Sequence, residues 1–229
     1  MKKLFDKRQV NQDNNPEFDS FFTEVLQKLP RQSAAIIAKS FNQSKALAEK
    51  TMAKSRTQFD SVFADFLVGV DDQKRQQAHN IIHAASLTAA IIGCSPIPFS
   101  DAFLLVPVQL TMMARLHKLF GQSWSASLGK SLSKELVLVG LGRSAVGNIL
   151  KLVPVVGTVT GAAVNATVAM SITEALGWLT VKMLNDGEDI FNDMLSFKNQ
   201  FKRCLGCYKE SNVLQLTVIT INDLINPHH

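Results

Sequence analysis

Cysteine is too scarce in this chain to organise a fold. The three present, Cys94, Cys204 and Cys207, are odd in number and lack framework spacing, which argues against a disulfide scaffold and fits a reducing cytoplasm. Aromatic residues make up only 7% of the chain, with one Tyr and two Trp, so the apolar content of 46% leans on Ala, Val, Ile and Leu. That composition suits closely packed helices better than a sandwich rich in Tyr and Trp. The opening stretch, residues 1–15, has basic residues but no apolar run, so it reads as neither a signal peptide nor an anchor, and the protein is not expected to be secreted. It also has too little apolar surface to offset the entropy of ordering, and is expected to be a disordered tail.

Complete chemical motifs are equally scarce. Gly129-Lys130-Ser131 matches the end of a phosphate-binding loop, but that motif needs a glycine five positions before its second glycine, where this chain has Trp124. Gly140, Gly142 and Ala145 satisfy a loose dinucleotide fingerprint, yet no acidic residue lies about twenty positions later and no βαβ alternation surrounds them. His79 and His83 are spaced to share one helix face without an acidic or cysteine partner in the same turns. Cys204 and Cys207 form a single CxxC whose further soft ligands are only the terminal His228 and His229, which reads as an ordinary thiol pair. No catalytic residue, cofactor or metal is therefore expected. Nucleic acid is the weakest partner class, because no recognition module accompanies the positive charge.

What is present is helical periodicity and an uneven charge. The net charge is +5, and Lys28, Arg31, Lys39, Lys45, Lys50, Lys54 and Arg56 are opposed over their span only by Glu49. Such a patch suits anionic lipid or an acidic partner, or is simply a solvated helix face. From Pro16, Phe18, Phe21, Phe22, Val25, Leu26 and Leu29 recur at helical spacing, and Pro30 ends that run. A second amphipathic helix follows, with Ile37, Phe41, Ala48, Met52 and Phe59 on one stripe, before Gly69–Asp72 breaks the pattern. Residues 16–70 read as a basic amphipathic arm, packed on the core or lying against a membrane surface or partner helix.

Two proline elbows organise the remainder. Pro96 and Pro98 hold Cys94–Phe99 out of helical geometry, so one helix is expected over Gln73–Gly93 and another from Asp101 to Phe120, kinked at Pro107 and capped by Gly121. Ser100 and Asp101 supply a cap and a first-turn carboxylate, the latter needing no reaction to explain it. A helix over about Ala126–Leu150 leads to the second elbow, Lys151–Gly157. Beyond it Gly157, Gly161, Asn165, Ala169, Thr173 and Gly177 recur at every fourth position, a groove of small side chains expected to meet the helix bearing Ala85 and Ala89. The run from Leu152 to Thr173 carries no charge, which suits a buried hairpin or, alternatively, a hairpin inserted in a membrane. Residues 71–187 form the expected core domain, and 188–229 a C-terminal amphipathic helix and a tail whose NVLQLTVITI segment alternates like a strand.

Both elbows carry a resemblance. Pro96-Ile97-Pro98-Phe99-Ser100-Asp101, followed by Gln109 and Gly121, is similar to one motif of the YcjF-type helical domain of unknown function associated with Era-like GTPases. Leu152-Val153-Pro154-Val155-Val156-Gly157-Thr158-Val159-Thr160-Gly161, followed by Thr173-Glu174-Ala175-Leu176-Gly177, is similar to another. The resemblance covers about residues 75–185 and implies a bacterial helical module, often membrane-associated, fused to or encoded near a GTPase, with no catalytic residues. The expectation is an all-α bundle of six or seven helices built on two proline-elbow hairpins. Its expected role is a non-catalytic adaptor in the cytoplasm, at or in the inner membrane. A separate GTPase, an anionic membrane surface and a second copy of the chain are the partners considered. The alternative is a channel-like protein inserting its apolar hairpins.

Overall fold

A computed structural model describes residues 16–63, 67–97, 101–125, 158–188 and 199–200. Five helices account for most of them: α1 (Pro16–Lys28), α2 (Arg31–Phe63), α3 (Asp72–Cys94), α4 (Asp101–Leu119) and α5 (Thr158–Asn185). The chain is all-α among the described residues. The expected helix over 126–150, the second elbow with Pro154 and Gly157, the amphipathic segment from Ile190 and the two tails lie outside the described residues, as does the count of six or seven helices.

Helix ends follow local chemistry. Pro16 opens α1, where a missing N–H costs nothing, and Pro30 separates it from α2. Asp71 caps α3, its Oδ1 accepting from the Lys74 amide at 3.1 Å. At the other end Ser95 turns extended, at φ −74° and ψ 140°, and its hydroxyl donates to the Ile91 carbonyl at 2.8 Å. Gly121 closes α4 with φ +71°, its amide donating to the Lys118 carbonyl at 3.2 Å while Gln122 donates to His117 at 2.8 Å. Gly187 closes α5 in the same paired manner at φ +74°. Both are left-handed caps that satisfy carbonyls a helix otherwise leaves open.

α3 lies at the centre, packed against each of the other four helices. Its small residues explain why: Ala78, Ala84, Ala85, Ala89, Ala90 and Gly93 are buried, so neighbours approach closely on several sides. α4 folds back along it, bringing Lys74 over the Phe120 ring at 5.4 Å. α5 also runs antiparallel to α3, since Gly93 meets Asn165 at one end and Gly177 meets Ile82 at the other. That register carries Ala89 level with Ala169 and Ala85 level with Thr173, all four buried.

α1 and α2 form a hairpin about Pro30, with the Phe22 and Phe41 rings 4.9 Å apart. Phe18, Phe21, Phe22, Val25, Leu26 and Leu29 are all buried, as are Ile37, Ala48 and Met52. They belong to one apolar cluster with α3, α4 and α5, so within the 16–70 arm residues 16–52 bury their apolar stripe in the common core.

Candidate functional site

The residues singled out from the sequence fall into three places. Around the first elbow, Pro96 is exposed and Gln109 is buried. Pro98 lies outside the described residues, as does the side chain of Asp101, which nevertheless opens α4. Gly121 sits at the far end of α4, so the elbow residues and this glycine are not one cluster.

The second place is the α3–α5 seam. A Cβ built on Gly93 falls 2.8 Å from the Asn165 carbonyl oxygen and 2.9 Å from the Ala166 amide nitrogen, which is backbone against backbone. At Gly177 it falls 2.7 Å from Ile82 Cγ1 and 3.0 Å from Met112 Sδ. Gly161 lies in α5, and its surroundings are outside the description. Buried hydroxyls on α5 do not break the seam: Thr167, Ser171, Thr173 and Thr180 each donate to the carbonyl one turn back, at 2.7–2.9 Å. Cys94 ends the seam, its Sγ 3.8 Å from the Ala162 carbonyl, and burial pushes its thiol up to about 12. The thiolate is the reactive form, so native Cys94 is expected to resist iodoacetamide at pH 8 and to react once the protein is unfolded. Peptide mapping by mass spectrometry reads this site separately from Cys204 and Cys207; rapid native labelling at Cys94 would contradict the burial.

The third place is the basic stretch of α2. Lys45 pairs with Glu49 at 3.3 Å and sits 5.6 Å from the Phe18 ring centroid, so it is committed to packing. Lys39 and Lys50 are exposed; Lys54 and Arg56 lie in α2 with side chains outside the description.

Sequence reasoning overlooked Arg115. Its guanidinium donates to Glu17 Oε1 at 2.6 Å, to Glu24 Oε2 at 2.7 Å and to Ser20 Oγ at 3.1 Å, with the Phe21 ring centroid 5.0 Å away. Lys28 adds a link from Glu24, at 2.7 Å, to Thr111 Oγ1, at 2.9 Å. Together these fasten one edge of α1 to α4. Burial alone would raise the Glu24 carboxyl, but hydrogen bonds and charge from Lys28 and Arg115 outweigh it and hold the group below its ordinary value. His117, also overlooked, is buried, with Nδ1 2.7 Å from the Met113 carbonyl. A carbonyl only accepts, so Nδ1 carries the proton. Arg115 has no signal in its own neighbourhood of the sequence, because its partners lie on another helix, whereas the His117 contacts, to Met113 and Trp124, are local.

His79 and His83 stack at 6.1 Å between ring centroids, and His79 lies 6.1 Å from Trp178. No group of three or more His, Cys, Asp or Glu suited to a metal ion occurs among the described residues.

Residues 61–203 match the family described as Domain of unknown function (DUF697). The chain belongs to this family. The DUF697 match bears out the reading of this region as a helical domain of unknown function, and extends beyond both ends of the 75–185 stretch that carried the resemblance. The chain is also similar to magnetosome membrane protein 22 of Magnetospirillum gryphiswaldense, 33% identical over 135 residues that cover 55% of this chain and 69% of the relative. No solved structure matches.

Proposed function

We propose that this DUF697 protein is a non-catalytic helical adaptor that works at a membrane. The observation that carries the reading is the similarity to a protein named as a magnetosome membrane protein. Among the described side chains, Arg115, Glu17, Glu24 and Lys28 fasten α1 to α4, a structural role that agrees with it. No helix of the described residues is long and apolar enough to cross a membrane, so among them nothing supports the channel-like alternative. Attachment at the cytoplasmic face of the inner membrane is the finer form of the proposal. Coupling to a separate GTPase is its further refinement and rests on the elbow resemblance alone.

Fractionation of cells expressing the protein tests the first step. The expected result is recovery with membranes and release by alkaline carbonate; recovery only in the membrane-free supernatant would overturn membrane association. A pull-down from the carbonate extract then tests the second step, with enrichment of a GTPase expected.

A further inference from the structure

The solvent side of α2 carries positive charge that no ion pair among the described residues takes up. Gln32, Ile36, Lys39, Gln43, Ala46 and Lys50 are all exposed and follow one another at alternating spacings of four and three, so they form a single face about 27 Å long at 1.5 Å per residue. No acidic residue occurs on that face. The nearby carboxylate of Glu49 is half-buried and held by Lys45, and no ion pair joins Lys39 or Lys50 among the described residues. Ile36 is one of three large apolar side chains that the described residues leave exposed. The opposite side of the helix, with Ile37, Ala48 and Met52, is already buried, so α2 is anchored with its cationic side outward.

We infer that this face of α2 is a docking surface for anionic phospholipid. The inference rests on the membrane association proposed above and names the surface and headgroup chemistry through which it occurs. Charge complementarity selects the occupant: an acid-free row of amides and ammonium groups matches a plane of phosphates, and the small Ala46 and aliphatic Ile36 let the helix lie close to the headgroup boundary. Residues 31–53 precede the stretch matched by the family, so the surface is a feature of this chain rather than one carried by the domain.

The test uses the full chain in co-sedimentation with vesicles of phosphatidylcholine, with and without phosphatidylglycerol, at rising salt. Wild type is expected to pellet with the anionic vesicles and not with the neutral ones. Each lysine removed near the surface is expected to weaken partition about fivefold, so Lys39→Gln/Lys50→Gln loses about 25-fold and Lys39→Glu/Lys50→Glu more. Raising salt from about 0.1 to 1 M shortens screening from about 10 to 3 Å and is expected to mimic the variants. Circular dichroism melts of both variants, unchanged from wild type, separate lost binding from lost fold. Binding that survives both variants and high salt overturns the α2 surface while leaving membrane association standing. Failure of wild type to bind anionic vesicles also overturns it; only if the protein is absent from cell membranes as well does the broader reading fall.

Discussion

Gly93→Ala is expected to lower the stability of this protein, although the same change in an ordinary helix interior raises it. Alanine exceeds glycine in helix propensity by about 1 kcal/mol, so an isolated helix would gain. Here the added Cβ falls 2.8 Å from the Asn165 oxygen, 2.9 Å from its carbonyl carbon and 2.9 Å from the Ala166 nitrogen. Those atoms are backbone and have no rotamer through which to yield, so α3 and α5 must separate along a seam that also carries Ala89 and Ala85. Overpacking of this kind costs about 1 to 3 kcal/mol, and each kcal/mol moves the Tm of a domain this size by about 2 to 4 °C. Gly93→Leu should exceed that. Gly177→Ala should also cost stability: its Cβ would fall 2.7 Å from Cγ1 of the buried, β-branched Ile82, which has little rotamer freedom, and only Met112 Sδ, at 3.0 Å, belongs to a side chain that yields easily. Thermal melts of the three variants decide the matter. A Gly93→Ala protein as stable as wild type would mean that the two backbones do not touch.

The legibility of this seam from sequence has a physical basis. Small residues at every fourth position constrain only the helix that carries them, and both α3 and α5 carry such a row, so the need for a close neighbour can be read from each alone. Helix ends are legible for the same reason: Pro30 and Gly121 act within one turn of themselves, whereas the Asp71 cap, found only in the structure, sets the α3 start one residue before the one expected at Gln73. The helices expected over Gln73–Gly93 and Asp101–Phe120 are found at Asp72–Cys94 and Asp101–Leu119. Partner choice between polar groups is another matter. Lys45 and Lys50 look alike in the sequence, yet one packs beside Phe18 and Glu49 while the other is exposed, because a difference in helix phase alone sets which side meets the core. Phe103 reads as one more apolar residue of its run and is 65% exposed among the described residues.

Arg115, invisible in the sequence, is expected to control the docking of α1. Arg115→Ala removes the donors that hold Glu17, Ser20 and Glu24 together with the cation over Phe21, and leaves Glu17 without the guanidinium and Glu24 with Lys28 alone. A fully buried network broken this way would lose about 3 to 5 kcal/mol, but the side chains of Glu17 and Glu24 are 35% and 40% exposed and water screens them. A loss of about 1 to 2 kcal/mol is therefore expected, concentrated in α1. Hydrogen exchange should show it as faster exchange at residues 16–28 with α3 and α5 unchanged. Acid should reproduce the effect in wild type. The Glu24 carboxyl is held below its ordinary value of 4.5, so its contribution is present above that pH and lost as pH falls through the lowered value of the folded state. Arg115→Ala should reduce this part of the stability profile without abolishing it, since Lys28 still lowers the Glu24 carboxyl, and Arg115→Lys should restore little, since one ammonium lacks the planar fork that reaches two carboxylates and a hydroxyl at once. Uniform exchange across all five helices in Arg115→Ala, or an acid profile identical to wild type, would show that the Arg115 network does not hold α1, leaving its phenylalanines and the Lys28–Thr111 link to do so.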